Sequence, residues 1–156
     1  MERRKPLLLL GDIMSDINME NISLKSLLTP SKTVEFEYPG IDGFLINVCY
    51  LSRESLLKLR NKCVSQKFNK KTRGFEEVLD DDKFLDEYTK AVIKGWKGLS
   101  YKYLDSLLLV SEDVKKKTGE LPYTEENAVV LMQNSTDFDQ WIAEITGDLE
   151  NFTKSK

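Results

Sequence analysis

The stretch that decides the fold begins at Trp96-Lys97-Gly98-Leu99, continues through Leu121-Pro122-Tyr123-Thr124-Glu125-Glu126-Asn127, and closes with a segment that ends near Phe152. In the closing segment, apolar residues recur at helical spacing, and most acidic residues lie off that stripe. The stripe consists of Phe138, Trp141, Ile142, Ile145, Leu149 and Phe152. It predicts a helix with one buried face and with Asn134 or Ser135 as its N-cap.

Apolar residues at helical spacing also predict helices upstream of this one. These cover residues 53–65, 83–96, 101–110 and 124–132. Ser52 and Thr124 are suitable N-caps, because their hydroxyl oxygens can accept a free backbone N–H of the first turn. The polar residues 66–82 and 111–119 are predicted to be connecting segments.

Before these helices, the sequence predicts a β-hairpin. Residues 33–38 alternate polar and apolar side chains, residues 39–43 contain proline and glycine in a turn pattern, and residues 44–50 are rich in β-formers. The predicted fold class is therefore α+β, mainly α, with an N-terminal β-hairpin followed by about five helices. Residues 34–156 are predicted to form a single domain.

Residues 1–33 show no sustained period and are predicted to be a loosely ordered arm with one short helix near residues 24–28. The arm begins with charged residues and the run 7–10 of four leucines, which resembles the start of a signal peptide. The apolar run is too short for a secretory core or a membrane span, both of which need longer stretches. We therefore expect a cytoplasmic protein without a membrane segment.

The composition offers little for catalysis. Histidine is absent, and the two cysteines, Cys49 and Cys63, are too few for a structural zinc site and are predicted to be reduced thiols. Residues 95–98 lack the spacing of a phosphate-binding loop. The aspartates 80–82 could hold Mg²⁺, but carboxylates at a helix start are more often caps. We expect no enzyme, and no catalytic, cofactor-binding or metal-binding residues.

The charges are strongly segregated, although the net charge of the 156 residues is only −3. Residues 53–73 carry a basic block with Glu54 as its one acid, and an acidic block follows over residues 76–87. The two blocks can be solvated faces that neutralise each other, which is the usual meaning of charge runs. They can also mediate head-to-tail self-association, or the basic block can bind nucleic acid with Phe68 as a stacking side chain. Self-association is favoured over nucleic acid, since the neighbouring acids repel phosphates.

Aromatic residues are predicted to lie mostly in the core, and an exposed subset would form a partner-binding surface. The candidate partner-binding residues combine both kinds of group. They are Arg60, Lys67, Lys70, Lys71, Arg73, Asp80, Asp81, Asp82, Trp96 and Tyr123.

Several segments, taken in order, resemble one protein family. They are Ile41-Asp42-Gly43-Phe44, Leu51-Ser52-Arg53-Glu54, Lys67-Phe68-Asn69-Lys70, residues 92–99, residues 121–128, Asp137-Phe138 to Trp141, and Leu149-Glu150-Asn151-Phe152. In this combination the chain resembles a tail assembly chaperone of long-tailed bacteriophages over about residues 34–156.

The resemblance implies a small, mainly helical protein that acts in the cytoplasm of the infected host and is absent from the mature virion. It implies binding to the tape measure protein, recruitment of the major tail protein and self-association, without catalytic residues. It also implies that a longer, frameshifted form is common among such proteins. Two alternatives are a nucleic-acid-binding regulator that uses residues 53–73 and a structural tail component.

Overall fold

In a computed structural model, residues 22–29 and 31–153 are described, and the chain divides into two units, residues 1–30 and residues 31–156. The described part of the first unit contains a short exposed helix, α1 (Leu24–Leu27), which confirms the helix expected there. The signal-peptide-like residues 1–10 lie outside the described residues. Within the described ranges, no helix is both long and apolar enough to span a membrane.

The second unit is a mixture of helices and antiparallel strands, which confirms the α+β class. Its strands are β1 (Ser31–Glu37), β2 (Leu45–Leu51), β3 (Val64–Asn69), β4 (Gly74–Leu79) and β5 (Ile93–Lys97). Its helices are α2 (Arg53–Lys62), α3 (Asp81–Val92), a 3-10 helix (Tyr101–Ser106), α4 (Glu112–Lys115), α5 (Glu125–Asn134), α6 (Thr136–Thr146) and α7 (Glu150–Thr153).

The expected first hairpin is confirmed, and it starts earlier than predicted, at Ser31. Strands β1 and β2 pair antiparallel from Ser31 opposite Leu51 to Glu37 opposite Leu45. Strand β5 pairs with the other edge of β2, so the sheet has the order β1-β2-β5. The β2 edge of the hairpin is therefore covered by a strand that is distant in sequence, and β1 is an edge strand of this sheet.

Two segments were predicted wrongly. Residues 66–79, expected to be part of a connection, form a second antiparallel hairpin from β3 and β4, which begins at Val64 inside the predicted helix 53–65. Residues 93–96, expected to end the preceding helix, belong to β5. Ile93 and Trp96 are three residues apart, which suits a helix face, yet both are buried in the strand. The register shift in the β2–β5 pairing adds a residue to β5, and this bulge returns both side chains to the same face.

Three smaller expectations also change. The segment 101–110 forms only a short 3-10 helix, and the lysine-rich segment 111–119 contains α4. The closing helix is interrupted after Thr146, where Gly147 follows, and resumes as α7. The predicted N-caps at Ser52 and Thr124 are confirmed, and the structure selects Ser135 rather than Asn134 for α6.

The core lies where the three-stranded sheet meets α3, α5 and α6. Aromatic side chains from the first hairpin and from α6 pack against one another in edge-on, tilted and stacked arrangements, with the Tyr38 and Trp141 rings 5.0 Å apart. At the end of the unit, Phe152 is buried and its ring lies 5.5 Å from Phe36 and 5.2 Å from Tyr50. The buried apolar residues include Phe44, Ile46, Val48, Val92, Ile93, Leu99, Leu131, Phe138 and Ile142.

The backbone just after β5 passes unusually close to the turn of the first hairpin. Gly98 has a φ of +81°, and a Cβ placed there would lie 1.9 Å from the carbonyl oxygen of Gly43. The Gly98 N–H donates to the Glu120 carboxylate over 3.0 Å. Only glycine fits this crossing, because any side chain would enter the Gly43 backbone.

Candidate interaction surface

The second hairpin is closed by a well-connected turn. The Asn69 side-chain oxygen accepts from the backbone N–H of Lys71 over 2.8 Å and of Thr72 over 3.4 Å. The Arg73 N–H donates to the Asn69 carbonyl over 2.7 Å, and Arg73 itself has a φ of 56°. Asparagine commonly organises turns in this way, and it orders the end of the hairpin here.

One face of this hairpin carries an exposed aromatic pair. Phe68 and Phe75 lie opposite each other in the register, are 54% and 71% exposed, and have ring centroids 5.6 Å apart. Strand alternation places Val64 and Leu79, also paired, on the same face nearer the root of the hairpin. We call this side the aromatic face. In the described part of the chain, none of its apolar residues joins the hydrophobic core.

Charges of opposite sign lie at the two ends of the hairpin. Lys70, Lys71 and Arg73 form the turn and are exposed, and we call them the basic tip. The aspartates 80–82 follow directly after β4 and line, with Lys67 and hairpin residues, a groove of about 410 Å³; we call them the acidic root. Among the described residues, none of these tip and root side chains forms an ion pair.

The basic and acidic blocks of the sequence are partly folded against each other. Lys67 lies directly across from Glu76 in the hairpin, and the Lys62 ammonium lies 3.4 Å from the Glu87 carboxylate of α3. Arg60 is an exposed residue of α2. These contacts favour the view that much of the charge segregation is solvated and internally neutralised. The basic tip and the acidic root are among the charged groups of the two blocks that form no ion pair within the described residues.

The candidate residues do not all lie together. Lys67, the basic tip and the acidic root share the second hairpin and the start of α3, where Asp80 also accepts the Lys83 N–H as the N-cap over 3.0 Å. Asp80 therefore has a structural role beside any binding role.

Trp96 and Tyr123 lie in the core region instead. Trp96 is 8% exposed, and its indole N–H donates to the Leu121 carbonyl over 3.0 Å. The Tyr123 hydroxyl donates to the Ile93 carbonyl over 2.9 Å, and the two rings are 5.2 Å apart. These contacts hold the 121–123 segment against β5. A partner-binding role for the two aromatic residues stays a prediction.

Phe75 was missed among the candidates, although it is the more exposed ring of the pair. The sequence contains a pattern that could have identified it. Phe68 precedes Asn69 and Phe75 follows Gly74, at equal distances from the turn, as expected for cross-strand partners in a hairpin. Reading residues 66–82 as connections hid this symmetry.

A second exposed apolar region lies on the body of the unit. Leu109 is fully exposed, and Leu108, Val110 and Val130 line a cleft of about 320 Å³ beside it. It lacks the charged surroundings of the hairpin, since Asn134 is its one polar lining residue among those described.

The described residues hold no group of three or more histidine, cysteine, aspartate or glutamate side chains placed to bind a metal ion. Cys49 and Cys63 are buried free thiols. The sequence model of the YdaY prophage protein family matches residues 53–156. The chain belongs to the YdaY prophage protein family.

The YdaY match begins at α2 and includes the second hairpin, β5 and all the later helices. The phage origin expected from the sequence is thereby confirmed, whereas the family description does not specify tail assembly. No curated protein and no solved structure matches the chain.

Proposed function

We propose that this YdaY family protein is a tail assembly chaperone that binds the tape measure protein and recruits the major tail protein in the host cytoplasm. It acts by binding and catalyses no reaction. The observation that supports this role is the second hairpin, which presents the aromatic pair Phe68–Phe75 next to the basic tip and away from the core.

The small size of this surface suits a protein of which many copies bind weakly along one extended partner. Burying the exposed parts of the Phe68 and Phe75 side chains would contribute about 2–4 kcal/mol, from the usual value for a phenylalanine. Alone, this corresponds to about millimolar affinity at best. Many copies along one extended partner bind much more tightly through high effective concentration, and each copy can still be displaced singly.

Co-expression with the phage's tape measure protein tests the proposal. We expect the wild-type protein to keep the tape measure protein soluble and to co-purify with it, and the F68S/F75S variant to lose both effects. L109S, which removes an exposed leucine from the body of the unit, is the matched control and should behave as wild type. If the tape measure protein stays insoluble and unbound with wild-type protein, the proposal is wrong.

A structural tail component is the nearest alternative, and the composition of the particle separates the two. A chaperone is absent from purified virions, whereas a structural subunit is present in stoichiometric amounts. Quantitative mass spectrometry of virions therefore decides between them.

A nucleic-acid-binding regulator is favoured by one observation, the position of two exposed rings beside the basic tip. Glu76, Glu77 and the acidic root lie on or beside the same hairpin and oppose phosphate binding. A gel shift with single-stranded DNA and RNA tests it: binding that weakens steeply with salt and is lost in K70E/K71E would support the regulator.

A further inference from the structure

We infer that the second hairpin is a self-association element, on which a second copy of this chain docks antiparallel about a two-fold axis. In this arrangement the basic tip of each copy contacts the acidic root of the other. The dimer would bury the same aromatic pair that the proposed function assigns to the tape measure protein, so the two associations would compete for one surface. Self-association itself does not require the chaperone role and is measured on the protein alone.

The charge pattern selects the antiparallel arrangement. The three cations of the tip stand at one end of β3 and β4, and the aspartates of the root stand at the other. A strand of this length spans about 20 Å, so the two clusters are well separated. Parallel docking of two hairpins would bring tip to tip and root to root, which is repulsive at both ends. Antiparallel docking brings opposite charges together at both ends.

The apolar groups on the aromatic face have the same complementarity, but the exposed pair Gln66–Glu77 lies between them on that face, and antiparallel stacking places the Glu77 carboxylates of the two copies near each other at the two-fold axis. Phe68 and Phe75 lie near the tip, and Val64 and Leu79, which are half-buried, lie near the root. When two aromatic faces stack antiparallel, the rings of each copy lie over the aliphatic side chains of the other. This burial removes from water the two phenylalanines that the folded unit leaves exposed on the hairpin.

Because the basic tip and the acidic root lie on the same hairpin, the assembly should be a closed dimer and not an open chain of copies. An interface of this kind is isologous, since the same surface serves both copies, and it closes at the dimer. The form of self-association considered from the sequence was head-to-tail, which is heterologous and can continue into a chain. The hairpin offers only a few residues per strand, well below a standard interface, so the dimer is weak and reversible.

Sedimentation velocity over a wide range of concentrations measures this association, with two charge variants. K70E/K71E reverses the tip, and D81K/D82K reverses the root while keeping the N-cap Asp80. We expect each variant alone to dimerise about 10–100-fold more weakly, because several exposed ion pairs become repulsive. An equimolar mixture of the two should recover a one-to-one dimer, since the tip of each variant then matches the root of the other.

Further variants separate surface effects from folding. F68S/F75S should weaken the dimer, whereas L109S should leave it unchanged. D81N/D82N keeps the side-chain size and should also weaken association if D81K/D82K does not fold. Circular dichroism and thermal melting establish that each variant is folded.

Three results would overturn the inference. The wild-type protein could remain monomeric at every concentration, the mixture could fail to recover the dimer, or the species formed could grow beyond a dimer. If the wild type is monomeric and K70E/K71E instead reduces binding to a single-stranded oligonucleotide, the basic tip is a nucleic-acid site and the self-association inference is wrong. Failure of tape measure binding with a normal dimer would count against the proposed function alone.

Discussion

Replacing Gly98 by alanine should destabilise the protein far more than the same change at a nearby glycine with a similar backbone conformation. At Gly98, φ is +81°, and the new Cβ would lie 1.9 Å from the Gly43 oxygen and 2.7 Å from the Gly43 carbonyl carbon. Both atoms belong to the backbone of the first hairpin turn. They cannot move aside as a flexible side chain would.

Two costs add at Gly98. A left-handed conformation costs a residue with a Cβ about 1–2 kcal/mol, and forcing an extra carbon into a packed site typically costs about 1–3 kcal/mol. We therefore expect G98A to lose about 2–5 kcal/mol of unfolding free energy. Gly43 is the matched control, since its φ is +84° and a Cβ there would meet no atom within 4 Å. G43A should lose only the conformational part, about 1–2 kcal/mol.

Urea unfolding followed by tryptophan fluorescence measures both variants, and Trp96 lies two residues before Gly98. The informative quantity is the difference between the two variants, about 1–3 kcal/mol, because the shared conformational cost cancels. Equal losses in G98A and G43A would show that the close approach of the two turns does not exist as described.

Three further changes have defined outcomes. T89V should raise the unfolding free energy by about 1 kcal/mol, because the Thr89 hydroxyl is buried without a hydrogen-bond partner among the described residues; a lower melting temperature would contradict this. R73G should relieve about 1 kcal/mol of left-handed strain at φ 56° and slow amide hydrogen exchange in the second hairpin, whereas faster exchange would contradict it. Burial raises the pKa of Tyr88 above its ordinary 10.0; the Thr146 hydrogen bond opposes this rise, and the charge of Asp139 adds to it. The folded protein therefore holds the Tyr88 proton more tightly than the unfolded chain does. The resulting stabilisation is complete below pH 10.0 and is lost as the pH rises through the raised pKa. Y88F should therefore flatten the alkaline part of a melting-temperature profile, at the cost of that hydrogen bond near neutral pH, and an unchanged alkaline slope would refute the assignment.

The elements predicted correctly are those with one buried face. The alternation in residues 33–38 and the stripe of the closing helix both reflect burial on one side, so the period of the element appears in the sequence. The N-caps were equally predictable, because a hydroxyl accepting an N–H of the first turn is a local interaction that needs no knowledge of the fold.

The second hairpin could not be found from periodicity, because neither of its faces is buried in the core. Polar and apolar residues therefore follow no two-residue alternation in β3 and β4. Strand β5 was not predicted for another reason. Its bulge depends on pairing with β2, some fifty residues earlier in the chain, and in the sequence alone the spacing of Ile93 and Trp96 resembles one face of a helix. For the candidate surface, the charged residues could be identified from the sequence. The hairpin that arranges them could not, and Phe75 was therefore not recognised as part of the surface.

The contacts of Phe152 have a consequence for the newly synthesised chain. Its ring packs on Phe36 and Tyr50, so the last described helix closes the side of the sheet that is made first. Strands β1 and β2 leave the ribosome early but wait for β5, and then for α7, before their apolar side chains are covered. The N-terminal strands therefore cannot form a stable folded unit before the C-terminal helices are synthesised. Contacts between residues this distant in sequence also slow folding. During this interval the apolar side chains of β1 and β2 stay exposed to water, and exposed apolar surface of this kind favours aggregation.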